Sequence, residues 1–186
     1  MTDFNEKRLA EVRSRFVNDI KEHIVTQQLN QGTFRHYLCK KPGDSNCYFE
    51  VTTIPGRLFI TGDMGTCVWE RTHDMLNWFR GANYDYAAAK VSQEITIREF
   101  CPDEAREWTN KAFKDGCLDE HLRDCLLEAL DSCEAENDFY DVFRSDCDMD
   151  IPGRFEIYGY HYLWQFEAVK WLLRKLDAGE YRCETQ

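Results

Sequence analysis

Two sets of residues in this chain have the types and spacing that chemistry uses. The first begins at Gly62-Asp63-Met64-Gly65, a carboxylate framed by glycines, continues with Arg71 and Asp74, and is joined far along the chain by His161, which stands among Tyr158, Tyr160, Tyr162 and Trp164. Carboxylate, imidazole and guanidinium are the base, acid and anion-holding types of a small active site, and Asp63, Arg71 and His161 are its candidates. No sequence spacing unites them. An Asp between two glycines equally suits a tight turn, and a His among aromatics equally suits a core.

The second set is acidic. From Cys117 to Asp150 twelve carboxylates face only Arg123 and Arg144, a net of −10 against −11 for the whole chain. Asp119 to Ala135 reads as a helix with Leu118, Leu122, Cys125, Leu126, Ala129 and Cys133 on one side. Glu120, Asp124, Glu128, Asp131, Glu134 and Asp138 fall on the other side, with Leu127 interrupting them, at spacings of about 5–6 Å if the helix persists. Carboxylates so placed can imitate spaced phosphates and be steered to a positive channel, so these six are candidate partner-binding residues. The same row also suits a solvated face that keeps the protein soluble. The expected partner is a protein with a basic surface. Direct nucleic-acid binding is not expected, because that needs a clustered basic face.

The elements that must position these residues read as one α+β domain over 1–186. An N-terminal helix runs over roughly 3–30, with Asp3 and Glu6 as a capping box and Leu9, Val12, Phe16, Ile20 and Ile24 as its stripe. An antiparallel β-meander of about four strands fills 33–71: Phe34 to Lys40, Cys47 to Thr53, Leu58 to Thr61 and Thr66 to Arg71. Pro55-Gly56 suits a type II turn. A mostly helical half, 72–179, packs on that sheet and includes the acidic segment 117–150. Its helices run from Asp74 to Arg80 with Thr72 as cap, from Ala87 to Gln93, and from Pro102 to Lys114 before Gly116. Glu94 to Phe100 alternates like a strand and equally suits an extended segment linking helices. The last helix, Tyr160 to Asp177, is apolar almost all round and is expected to be the most buried.

Composition sets the class. At 186 residues, 43% hydrophobic and 14% aromatic, the chain can bury a core without staples. Nine widely spaced cysteines, an odd number without CxxC pairs or an apolar leader, read as reduced thiols of a cytoplasmic protein. No metal or cofactor is expected, and no membrane span, since no run reaches about 18 apolar residues.

The stretches "FRHYLCKKPG", "YFEVTTIPGRLFITGDMGTCVWERTHDMLNWFR" and "YGYHYLWQFEAVKW" resemble segments of a family of short, uncharacterised proteins encoded by bacteriophages and prophages. The resemblance covers most of 34–80 and 155–175, and its specific part is Gly-Asp-Met-Gly with its flanking strands. It implies phage origin and action inside a bacterial cell, and carries no catalytic residues. With the charge distribution it leads to one expectation: a small acidic accessory protein that binds, as a nucleic-acid mimic, a basic surface of a host restriction or CRISPR-type defence protein. The alternative is a small phage enzyme with its site near the Gly62-Asp63 turn and His161.

Overall fold

The computed structural model describes residues 3–92, 96–132, 134–146 and 154–184. The chain is mixed α and β and divides into two compact units, 1–97 with 158–186, and 98–157.

The first unit opens with α1 (Asp3–Asp19), which buries Leu9, Val12 and Phe16, with Ile20 buried just past its end. The helix stops earlier than the periodicity predicts. Ile24 continues the helical stripe by spacing, but Ile24, Val25 and Thr26 are three β-branched residues in a row, stiff at χ1 and suited to an extended backbone. They begin β1 (Ile24–Gln31), which pairs antiparallel with β2 (Phe34–Lys40) through the Gly32-Thr33 turn.

The meander continues as expected through β3 (Phe49–Ile54), β4 (Arg57–Gly62) and β5 (Cys67–Glu70), all antiparallel. Pro55-Gly56 joins β3 to β4 with Gly56 at φ 85°, the positive φ a type II turn requires. Two short helices follow: α2 (Met75–Gly81) and α3 (Tyr84–Ala88). Both differ from expectation in detail. The cap of α2 is Asp74, whose carboxylate accepts from Asn77 N, while Thr72 Oγ1 donates to the Asp74 carbonyl. The helix expected over 87–93 instead starts at Tyr84 under an Asn83 cap.

Of the segment 94–100, residues 94 and 95 lie outside the described part, and only β6 (Arg98–Phe100) is a strand. The second unit then contains α4 (Pro102–Lys114), α5 (Glu120–Ala129) and α6 (Ala135–Asp146). Pro102 and Gly116 bound α4 as the sequence predicts. Leu118, Leu126, Ala129, Leu130, Phe139 and Phe143 form its core with Phe155, so α4–α6 bury their apolar faces together. The chain leaves through β7 (Glu156–Tyr158), which pairs with β6.

Back in the first unit, α7 (Tyr160–Asp177) is the central helix, burying eleven residues that include Tyr162, Trp164 and Leu172. Three of its polar side chains find partners: buried Glu167 accepts from Arg13 Nε at 2.8 Å, Lys170 Nζ donates to the carbonyls of Phe79 and Arg80, and Gln165 Nε2 donates to the Met64 carbonyl at 2.8 Å. Gly179, at φ 69°, turns the chain into β8 (Arg182–Cys183), which lies parallel to β1. The sheet therefore has six strands in the order β5-β4-β3-β2-β1-β8, two more than the sequence suggests.

Candidate functional site

The six acidic candidates belong to the 98–157 unit, and two helices carry them where the sequence suggests one. Asp119 caps α5, accepting from Leu122 N at 2.7 Å, and the helix ends at Ala129. The break has a local cause and a packing cause. Ser132 Oγ accepts from Glu134 N at 3.1 Å and donates to Asp138, an alternative to helical hydrogen bonding that starts the next turn. At about 100° per residue, an unbroken helix would put Phe139 about 20° from Glu128, on the water-facing side. With α6 as a separate helix, Phe139 is completely buried.

The expected stiff row is thus interrupted. Glu120, Asp124 and Glu128 lie on α5, Asp131 and Glu134 lie in the connection, and Asp138 lies on α6. Several are held by cations: Asp124 by Arg123 at 2.5 Å, Asp131 by Arg106 at 2.6 Å, and Glu120 loosely by Arg123 at 3.8 Å. Asp138 is half-buried on Ser132, whereas Glu128 and Glu134 are exposed and have no ion-pair partner among the described residues. A continuous, unpaired lattice of negative charge is not what these residues form.

The net charge divides between the two units. Residues 98–157 contain eighteen of the 34 carboxylates and seven of the 23 Lys and Arg, a net of −11, which leaves the first unit neutral. Asp141 and Glu120 remain about as open as side chains get, 75% and 81% exposed, so the unit presents this charge to water.

The candidates for catalysis are not assembled. Asp63 sits in the turn between β4 and β5, where Gly65 N donates to Gly62 O at 2.9 Å. Its carboxylate accepts the backbone N–H of Cys47 at 2.6 Å, and its own N–H donates to Tyr48 O at 3.2 Å, tying this turn to the β2–β3 loop. Cys47 has φ 56°, a left-handed backbone unusual for a non-glycine residue, and the Asp63 and His23 contacts hold it there. Arg71 lies beyond the opposite end of β5, donating to the Tyr86 hydroxyl at 3.2 Å. His161 is exposed in the first turn of α7 with its ring against Tyr160. Each keeps separate partners, and no hydrogen bond joins the three.

The seven described cysteines are free; Cys39 and Cys67 are buried, and burial raises both thiols, Cys67 to about 12, so they act as small apolar residues. Among the described residues no group of three or more His, Cys, Asp or Glu could hold a metal ion. No helix there is long and apolar enough to cross a membrane.

One constellation carries no signal in the sequence. Arg35 on β2 makes a bidentate ion pair with Asp74, at 2.8 and 2.9 Å, across 39 residues. The guanidinium holds Asp74 well down in the carboxylate range, at about 2. The pair stands in a cleft of about 360 Å³ lined from β1, β2, α2 and the end of α7.

No protein-family model, curated protein or solved structure matches this chain.

Proposed function

We propose that this is an acidic accessory protein of the phage type that acts by binding, with the 98–157 unit as the part that meets a basic surface on a host protein. The observation that carries this reading is the division of charge: a net of −11 in one unit and none in the other. A compact, strongly negative body is drawn to a positive channel from a distance and excludes other polyanions from it. Nucleic-acid-binding surfaces of restriction or CRISPR-type defence proteins have the required sign. Mimicry of this kind rests on total charge and its exposure, since the pairing of Asp124 and Asp131 with arginines removes them from any regular phosphate-like row.

Competition tests the reading. Proteins captured by the immobilised chain from a bacterial lysate should be released by excess duplex DNA, which seeks the same surface. A variant with Glu120, Glu128 and Glu134 changed to Lys should capture none of them while keeping its far-UV circular dichroism. Capture that survives both the DNA and the reversal would place binding elsewhere on the molecule.

A further inference from the structure

The cleft between the sheet and α2 lies entirely in the neutral unit, and its chemistry differs from that of the acidic unit. Strand register places Gln27 opposite Tyr37 and Asn30 opposite Arg35 on adjacent strands. Asp74 is doubly committed, capping α2 through Asn77 N at 3.1 Å and clamping both terminal nitrogens of Arg35. That clamp fixes the guanidinium and uses only one edge of it. Its Nε–H has no hydrogen-bond partner among the described residues.

Tyr37 supplies the more telling group. The residue is 3% exposed, it lines the cleft, and its hydroxyl makes no hydrogen bond among the described residues. That hydroxyl opens on the cleft rather than into the core, so it can donate to or accept from a ligand seated there. Asn77, whose side-chain amide has no hydrogen-bond partner among the described residues, adds a donor and an acceptor on α2. Leu76 and Leu176 contribute apolar wall, and Tyr181, 39% exposed, offers an aromatic surface at the rim.

Charge narrows the ligand class. Arg35 is neutralised by Asp74, and Arg80, the other cation of the lining, is paired with Asp177. A phosphate or carboxylate would have to compete with an intact ion pair at either arginine. A neutral molecule with flat apolar faces and a polar edge meets no such cost, and its edge can use the donors and acceptors the fold leaves unsatisfied. The volume falls within the range of about 300–1,000 Å³ typical of small-molecule sites.

We propose that this cleft binds a neutral nucleobase or nucleoside, its ring against Tyr181 and the leucines and its polar edge on the Tyr37 hydroxyl, the free edge of Arg35 and the Asn77 amide. The assignment is independent of the partner-binding role of the acidic unit.

Isothermal titration of the full chain with adenosine, guanosine, cytidine and thymidine tests it, with the matching 5′-monophosphates and inorganic phosphate alongside. At least one nucleoside should bind one-to-one with a dissociation constant below about 1 mM. Tyr37→Phe should weaken that nucleoside by about fivefold or more, the effect of one lost hydrogen bond. Tyr181→Ala, at an exposed position that does not threaten folding, should weaken it comparably. The monophosphate should bind within about threefold of the nucleoside, because no unpaired cation awaits it. Absence of binding by all four nucleosides, unchanged affinity in both variants, or displacement of the nucleoside by inorganic phosphate would overturn the assignment.

Discussion

Asp63 and His23 hold Cys47 from both sides, one on its N–H at 2.6 Å and the other on its carbonyl at 3.0 Å. Asp63→Ala leaves that N–H without its acceptor and should lower stability by about 1–2 kcal/mol in urea unfolding. Stability equal to wild type would return Asp63 to the list of chemical candidates. His23 makes a pH prediction. The Cys47 carbonyl can only accept, so Nε2 carries the proton, and Nδ1 is buried without a partner among the described residues. Burial lowers the His23 pKa below its usual value of 6.5. The unfolded chain therefore takes up a proton at His23 below about pH 6.5 while the folded chain resists, so stability falls as pH drops through that point. In His23→Gln this loss should disappear, and the urea midpoints of wild type and variant should converge between pH 7.5 and pH 5.5, values about one unit either side of the free imidazole's. A constant gap would show that His23 titrates alike in both states.

The turns set the order of the meander, and its glycines are not equivalent. A Cβ at Gly62, φ 149°, would meet Tyr48 O at 2.2 Å and Phe49 Cα at 2.8 Å, whereas one at Gly56, φ 85°, would meet nothing within 4 Å. Gly62→Ala should cost about 3 kcal/mol or more, and Gly56→Ala about 1 kcal/mol for its backbone alone. Equal losses would contradict the close approach of β4 to the β2–β3 loop. Much at this scale is legible in the sequence. β2 to β5, α4 and α7 follow from β-rich runs, Pro-Gly and Gly-Asp turns and a helical period, because each signal lies within the element it predicts. β1 is hidden, since Ile24 extends the α1 stripe by coincidence of spacing, and β8 is hidden because two residues gain strand character only from a distant partner. The break between α5 and α6 is masked by acidic residues, which fit a water-facing helix and a turn equally well. The Arg35–Asp74 pair and the cleft around it depend on tertiary packing, and no local spacing marks them.

At the scale of the whole molecule, the described residues form two hydrophobic clusters, one in each unit, and one unit holds all the net charge. Leu126, with no exposed surface, belongs to the acidic unit's cluster. Leu126→Ala should cost about 2–5 kcal/mol, and hydrogen exchange should register it in the amides of α4, α5 and α6 first. Equal acceleration throughout β1 to β5 would show a single cooperative core. The central claim is that the charge of residues 98–157 does the binding, and salt tests it most directly. Partner capture by wild type, measured at about 50 and about 200 mM salt, should fall steeply between the two, because exposed charges are screened over this range. The variant with Glu120, Glu128 and Glu134 changed to Lys should show little capture at either. Capture by wild type that is indifferent to salt, or equal capture by the variant, would contradict the account.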